Sequence, residues 1–285
     1  MRQVLLIATF LSILFLCSTH TFAQTDFRCG TVIPHDYLES QKRAMPGYFG
    51  CEQINRVNRK ISVLFQVIRD SVGGTGVTDA NLEQSINRLN EIWAPTGISF
   101  EFCERRNLDN HQFNEFVQLT DGEDMEAMYY EPNVINVFIS ATVNTISQGD
   151  VAGYAYPPGG KDIVHVKKSS MQDPEFPVLI HEMGHFLGLL HTFETSTGAE
   201  LADGSNCTSA GDLICDTEAS PTNNPADFSG TNCNYIGMPA ADAMGNFYVP
   251  PSKNFMSYSG CGCEFTKQQY NRMVEQYLQI RNYLW

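Results

Sequence analysis

Three histidines and one glutamate form the densest group of chemistry-bearing residues in the chain. His181 and His185 are four residues apart, so on a helix their imidazoles leave one face and can share a metal ion. Glu182 lies beside that face, where it can take a proton from a metal-bound water. Gly188 permits a sharp turn that brings His191 back as a third ligand. Three nitrogen ligands leave a fourth position open to water, which is typical of a catalytic zinc site.

A zinc ion held by these residues would serve hydrolysis. Zinc lowers the pKa of a bound water and polarises a bound carbonyl, and Glu182 would act as base and proton shuttle. Two alternatives are a helix with incidental histidines and a non-catalytic, zinc-stabilised binding module. The binding module has no use for the carboxylate of Glu182, so the pattern favours an enzyme.

The longer motif H-E-x-x-H-x-x-G-x-x-H, with a methionine turn after it, is the metzincin pattern. Within that clan the sequence resembles the pappalysin (cytophagalysin) family of secreted metalloendopeptidases over about residues 27–280. The other metzincin branches, such as astacins and matrix metalloproteases, are disfavoured by Thr192 and by the G-D-x-x-C-D-T segment. The resemblance rests on RCGT at 28–31, HEMGHFLGLLHTF at 181–193, GDLICDT at 211–217, NFMSYS at 254–259 and EFTKQQYNRM at 264–273.

The resemblance implies roles for residues around the metal. His181, His185 and His191 would be zinc ligands, and Glu182 the general base and acid. Met256 would form the apolar floor below the zinc, although a methionine of an ordinary core is the alternative. Tyr258 would approach the metal or stabilise the oxyanion, and the alternative is a tyrosine hydrogen-bonded within the C-terminal half.

Cys29 lies in the segment that resembles the latency motif of the family. A thiolate is a strong zinc ligand, so Cys29 over the metal would take the place of the water and keep the enzyme latent. The alternative is a disulfide, for example with Cys51. Basic residues at Arg56 and at Arg59–Lys60 precede the first strand, and an activating protease cutting there would release Cys29.

The acidic loop before residue 217 is predicted to contain a second metal site. Asp212 and Thr217 match positions that bind calcium in the family, through carboxylate and carbonyl oxygens. The alternative is a solvated loop. Zinc, and calcium as a second ion, are therefore the expected cofactors.

Five of the nine cysteines lie after residue 200, where the chain has little regular structure. The resemblance pairs Cys207 with Cys233. We expect Cys215 to pair with Cys261 or Cys263, and the sequence leaves that choice open.

The N-terminus predicts export. Arg2, the apolar run from Val4 to Cys17 and small residues before a cut after Ala23 form a secretory signal. That run is too short to span a membrane. The chain has 18 Lys and Arg against 32 Asp and Glu, a formal net charge of −14. An acidic chain is a poor partner for nucleic acid or anionic lipid, so protein substrates are the expected partners.

The elements predict an α/β (α+β) metzincin-like fold. A twisted mixed sheet and two long helices would form an upper subdomain, with an irregular, disulfide-tied lower subdomain that ends in a C-terminal helix. The expected division is a signal at 1–23, a latency prosegment at 24–60 and a catalytic domain at 61–285, whose subdomains meet after residue 188. Strands are expected at 61–68, 98–102, 133–139, 153–156 and 163–166, and helices at 79–94, 173–187 and from 266.

Two expectations concern the substrate. The strand at 163–166 would bind an extended peptide by strand addition. After the methionine turn, the stretch Ser259–Cys263 carries no acid that could pair with a buried guanidinium. The sequence therefore predicts a pocket for small or medium neutral residues, rather than arginine, after the scissile bond. The alternative is that Glu264, or an acid from another loop, lines this pocket.

Overall fold

The computed structural model describes residues 28–44, 53–173 and 175–285. The predicted signal at 1–23, Cys51 and Pro174 lie outside these residues. The helices are α1 (His35–Ala44), α2 (Asp79–Trp93), α3 (Gln118–Tyr129), α4 (Lys168–Gln172), α5 (Val178–Phe186) and α6 (Lys267–Ile280). The strands are β1 (Arg59–Ile68), β2 (Ile98–Leu108), β3 (Glu115–Val117), β4 (Ile135–Ser140), β5 (Thr142–Thr145), β6 (Gly149–Asp150), β7 (Gly153–Ala155) and β8 (Ile163–Lys167).

A five-stranded sheet in the order β2-β1-β4-β8-β7 forms the centre of the upper half. β1, β2, β4 and β8 are parallel, and β7 is antiparallel to β8. The strands of the interior read as continuous apolar runs because both faces of a mostly parallel sheet are covered. This sheet and its helices confirm the predicted α/β class.

The position of β8 corrects one prediction. The strand at 163–166 was expected to receive the peptide, but β8 is an interior strand with β4 on one side and β7 on the other. The chain after Gly153 folds back on itself and places β7 at the edge. An extended peptide can therefore add to β7, and not to β8.

Helices α2 and α5 pack against the same core. Thr78 caps α2 through a capping box with Asn81, and the predicted apolar stripe of α2 is buried. α5 begins at Val178, five residues later than predicted from Asp173. Pro177 is the N-cap of α5. Because a residue that precedes a proline is disfavoured in the helical region, Phe176 does not continue the helix toward the N-terminus. The turn that begins at Asp173 is therefore separate from α5.

Among the elements of the upper half, the sequence did not predict α3, α4, β3, β5 and β6. α3 carries acidic residues without a clear apolar stripe, and it packs with a small second sheet of order β3-β5-β6. A second core cluster lies between them and includes Phe113, Phe116 and Met125. The missed helix shows how tertiary packing can decide secondary structure where the local pattern is weak.

The lower half is irregular from Gly188 to α6, and disulfides tie it together. The bonds join Cys207 to Cys215 and Cys233 to Cys261, and Cys263 is also disulfide-bonded. The expected pair of Cys207 with Cys233 is therefore wrong, as is the expectation that Cys215 reaches Cys261 or Cys263. The reason is local: the loop from Cys207 turns back so tightly that the Cα atoms of Cys207 and Cys215 are 5.1 Å apart.

Candidate metal centre

The three predicted histidines meet at one point. α5 carries His181 and His185 on one face, both fully buried. Gly188 has φ of +95°, which ends the helix and returns the chain toward His191. The Nε2 atoms are 3.1 Å apart between His181 and His185, 3.3 Å between His181 and His191, and 3.0 Å between His185 and His191.

The hydrogen bonds of the rings fix which nitrogens face the centre. His181 donates from Nδ1 to the Phe255 carbonyl at 2.6 Å, and His185 donates from Nδ1 to the Leu189 carbonyl at 2.8 Å. Burial lowers the pKa of His181 to about 4 and holds the pKa values of His185 and His191 well below 6.5. Neutral rings with a proton on Nδ1 present a lone pair at Nε2.

These lone pairs fit a metal ion. Lone pairs that point at each other over 3.0–3.3 Å repel, and a cation between them removes the repulsion. A tetrahedral zinc site with Zn–N bonds of 2.0–2.1 Å has N···N edges of about 3.3–3.4 Å. The residues present therefore match zinc in donor type, number and spacing.

Cys29 supplies a fourth donor atom. Its Sγ and one nitrogen of each histidine lie within 4.8 Å of one another, and all four residues are buried. Cys29 forms no disulfide. Burial and the nearby Glu182 carboxylate raise the pKa of the Cys29 thiol, whereas a bound cation would favour the thiolate.

The segment that carries Cys29 lies along the edge strand β7. Ala152 N donates to Arg28 O at 2.6 Å, and Gly30 N donates to Gly153 O at 2.8 Å. The segment runs parallel to β7, with Cys29 opposite Gly153. It therefore occupies the edge to which an extended peptide would add.

Thr31 ties this segment to Glu182, a contact that the sequence did not predict. Its hydroxyl donates to Glu182 Oε2 at 3.1 Å and accepts from Ala155 N at 2.8 Å. The Cys29 thiol also donates to Glu182 Oε2, at 3.3 Å. Burial raises the pKa of Glu182 to about 8, and the two donors act in the opposite direction. Thr31 is the fourth residue of the R-C-G-T motif, and this position in the motif was the only indication of it in the sequence; the sequence analysis assigned it no role.

Met256 and Tyr258 both reach the centre. Met256 is fully buried, and its Sδ would lie 2.6 Å from a Cβ placed on Gly184 of α5, so the sulfur packs directly against the helix that carries the histidines. The Tyr258 hydroxyl donates to Cys29 O and accepts from Cys29 N, both at 3.1 Å. The ring of Tyr258 lies 5.0 Å from that of His191, centroid to centroid.

A second group of acidic residues lies in the lower half. Asp212 is buried, accepts from Ile214 N at 2.9 Å and accepts the Thr217 hydroxyl. The sequence missed Glu200, whose two carboxylate oxygens are buried and have no hydrogen-bond partner among the described residues. Burial raises the pKa of Glu200 to about 8 and that of Asp212 to about 7, and the negative charge of Asp212 adds to the shift at Glu200.

Two further histidines of the described residues, His165 and His35, are not part of either group. His165 is fully buried, and its Nε2 lies 2.8 Å from the Ser140 hydroxyl. His35 is exposed and lies in α1. Neither joins the metal-binding cluster of the described residues.

Comparisons with known proteins agree with this geometry. The sequence model of the peptidase family described as pregnancy-associated plasma protein-A matches residues 123–278. An extracellular metalloprotease of Pyricularia oryzae is 24% identical over 98% of this chain and 99% of its own length. Extracellular metalloprotease 1 of Coccidioides posadasii is 25% identical over 89% of this chain and 90% of its own.

A solved structure shares the fold. A mutant of Tannerella forsythia promirolysin superposes with a TM-score of 0.54 at 18% identity, over 86% of this chain and 88% of that chain. Within the described part of this chain, no helix is both long and apolar enough to cross a bilayer.

Proposed function

Because the chain belongs to the pregnancy-associated plasma protein-A family of metallopeptidases, we propose that His181, His185 and His191 hold the zinc ion of its active site. The observation that carries the proposal is the convergence of three Nε2 lone pairs at 3.0–3.3 Å. Bound there, zinc would polarise the scissile carbonyl and lower the pKa of the attacking water. The substrates are proteins or peptides, as the family implies.

Glu182 moves the protons in this proposal. Its carboxylate is buried beside the three imidazoles, within reach of a water that attacks the scissile carbonyl. It takes the proton of that water and returns it to the nitrogen of the leaving amine. Burial raises the pKa of Glu182, as is common for groups that exchange protons during catalysis.

Met256 and Tyr258 support the site in different ways. Met256 fills the space under Gly184 and keeps the helix of the histidines in place. The Tyr258 hydroxyl is engaged by Cys29 in the precursor. Once Cys29 leaves, that hydroxyl is available to donate to the oxyanion that forms during hydrolysis.

The protein is made latent, in this proposal, by residues 24–60. Cys29 would complete the zinc ligands in place of water, and Thr31 would hold Glu182 and the edge-strand N–H of Ala155. Helix α1 anchors the segment, because the Tyr37 hydroxyl donates to Gly188 O at 2.9 Å and Leu38 packs with Leu190. The catalytic domain would comprise residues 61–285, with the subdomains 61–188 and 189–285.

Activation requires a cut between α1 and the sheet. Arg56 is exposed and lies before β1, whereas Arg59 and Lys60 already belong to that strand. A trypsin-like protease would therefore cut at Arg56 more readily than at the paired strand, and the mature chain would begin at Val57 and keep residues 57–60 ahead of the domain boundary. A substrate would then take the place of residues 28–31 along β7.

We also propose that the protein is secreted and that calcium stabilises its lower half. The relatives are named extracellular metalloproteases, and residues 1–23 have the pattern of a secretory signal. Asp212, Thr217 and Glu200 would bind calcium, since both carboxylates have pKa values raised by burial and the two Glu200 oxygens have no hydrogen-bond partner among the described residues.

The test is proteolysis by the trypsin-treated precursor, with casein as substrate. We expect activity that 1,10-phenanthroline removes and zinc restores. Glu182→Gln should bind one zinc per chain and lose several orders of magnitude in rate, because it cannot move the proton. An inactive wild type with zinc bound would support the non-catalytic binding module instead.

A further inference from the structure

A polar cavity of about 470 Å³ opens beside the third histidine. Its walls include His191, Phe193, Glu194 and Tyr258, and the prosegment contributes Thr31. Since Thr31 leaves with the prosegment, the cavity opens further into the cleft in the mature form. A substrate lying along β7 must pass its mouth.

Glu194 is the one acidic residue that lines this cavity, and no Lys or Arg lines it. Its Oε1 accepts from the backbone N–H groups of Thr195 at 2.9 Å and Ser196 at 2.8 Å. Its Oε2 accepts no hydrogen bond, and the carboxylate forms no ion pair, within the described residues. The backbone is fixed as well, because Glu194 N donates to His191 O at 3.0 Å.

We propose that this cavity is a substrate subsite and that Glu194 selects an arginine or lysine side chain there. The inference rests on the proposed function and adds the class of substrate. A half-buried carboxylate with a free oxygen and no cation nearby gains most from a guanidinium or ammonium partner. The surplus of acidic residues in the chain favours the approach of basic peptides to the same site.

The position along the substrate follows from the prosegment. Cys29 is the residue at the metal and Thr31, two residues later, lines the cavity. Alternate residues of an extended chain point to the same side. The basic side chain is therefore expected about two residues from the scissile bond, on the side of His191.

This subsite is separate from the pocket after the methionine turn. The stretch Ser259–Cys263 has no acid and does not line the cavity. A preference for neutral residues in one position and for a basic residue in another can therefore coexist in one peptide.

The experiment uses the activated wild-type protein and pairs of peptides that differ in one residue, arginine or citrulline. Citrulline keeps the shape of arginine and removes its charge. We expect arginine to be preferred by about tenfold or more in kcat/KM at one position, because charge-assisted hydrogen bonds contribute more than neutral ones. The preference should appear in KM more than in kcat, since the subsite lies away from the reacting atoms.

Glu194→Gln should bring the ratio of kcat/KM for the arginine peptide to that for the citrulline peptide close to one. The amide oxygen of the glutamine can still accept hydrogen bonds from the Thr195 and Ser196 N–H groups, so the loop keeps its local structure. Glu194→Lys should instead prefer glutamate over glutamine at that position. Glu83→Gln, an exposed change on α2, is the matched control and should keep the wild-type ratio.

Equal cleavage of each arginine and citrulline pair by the wild type would overturn the subsite while leaving the proposed function intact. The same ratio in wild type and Glu194→Gln would also overturn it. No cleavage of any peptide or protein would count against the proposed function and the subsite together.

Discussion

Thr31→Val tests whether latency depends on more than the Cys29 thiolate. Valine has nearly the shape of threonine, so the change removes the hydroxyl and little else. Two hydrogen bonds are lost, to Glu182 Oε2 at 3.1 Å and from Ala155 N at 2.8 Å. Both partners lie in a buried region, where Thr31 itself is 9% exposed.

The free-energy cost of the change follows from the two buried groups, Glu182 Oε2 and Ala155 N, that lose their hydrogen-bond partner. Leaving a buried donor or acceptor unpaired costs about 1–3 kcal/mol, and more for a charged group. Part of the loss is recovered if water enters, so about 2–3 kcal/mol in total is expected for the pair. At 1.4 kcal/mol per factor of ten, the open precursor becomes about 30- to 150-fold more populated.

The assay is hydrolysis of a fluorogenic peptide by purified precursors, with a serine protease inhibitor present to suppress adventitious activation. Thr31→Val should show higher initial activity and faster self-processing than the wild type by about that factor. Thr31→Ser keeps the hydroxyl and should resemble the wild type. The mature domains released from all three must be equally active, because Thr31 leaves with the prosegment. If Thr31→Val is as inert as Thr31→Ser, the hydroxyl does not contribute to latency and the reasoning is refuted.

Three further predictions concern latency, calcium and pH. Cys29→Ala precursor should be active or self-process without added protease; a variant as inert as the wild type would make Cys29 a structural residue. A calcium-specific chelator that leaves zinc bound should lower the Tm of the wild type. If calcium had been present at 100 times its Kd, its removal lowers the free energy of unfolding by about 2.7 kcal/mol. The Tm of Glu200→Gln should be nearly unchanged by the chelator, and equal Tm shifts in both proteins would contradict the calcium site. Burial lowers the pKa of His165 to about 3. Below about pH 6.5 the unfolded chain therefore binds a proton at this residue that the folded chain does not. As the pH falls from 6.5 toward 3, His165 reduces the free energy of unfolding by up to about 1.4 kcal/mol per pH unit. Urea unfolding of His165→Gln should lack this part of the slope, and identical slopes in the two proteins would contradict the assignment.

The convergence of the three histidines was predictable because it depends on local sequence. The spacing of His181, His185 and His191, with Gly188 between them, depends only on helical geometry and one turn. The apolar runs of β1, β4 and β8 and the stripe of α2 are equally local, so these elements were found at nearly the right bounds, whereas β2 continues to Leu108, six residues beyond its predicted end.

Contacts between distant segments were harder to predict. Thr31 meets Glu182 across 151 positions, and no periodicity encodes that meeting. Glu200 lies 12 residues from Asp212 in an irregular loop, where the sequence offers no rule for which carboxylates converge. The edge position of β7 likewise follows from strand order, which the strand pattern alone does not give.

The most direct test of the central claim is X-ray absorption at the zinc edge, on the precursor and on the activated protein. The precursor should show three nitrogen ligands at about 2.0–2.1 Å and one sulfur at about 2.3 Å. After activation the sulfur should be replaced by oxygen while the three nitrogens remain. A precursor that holds zinc without sulfur would contradict the role of Cys29, and fewer than three nitrogens in either form would contradict the assignment of His181, His185 and His191.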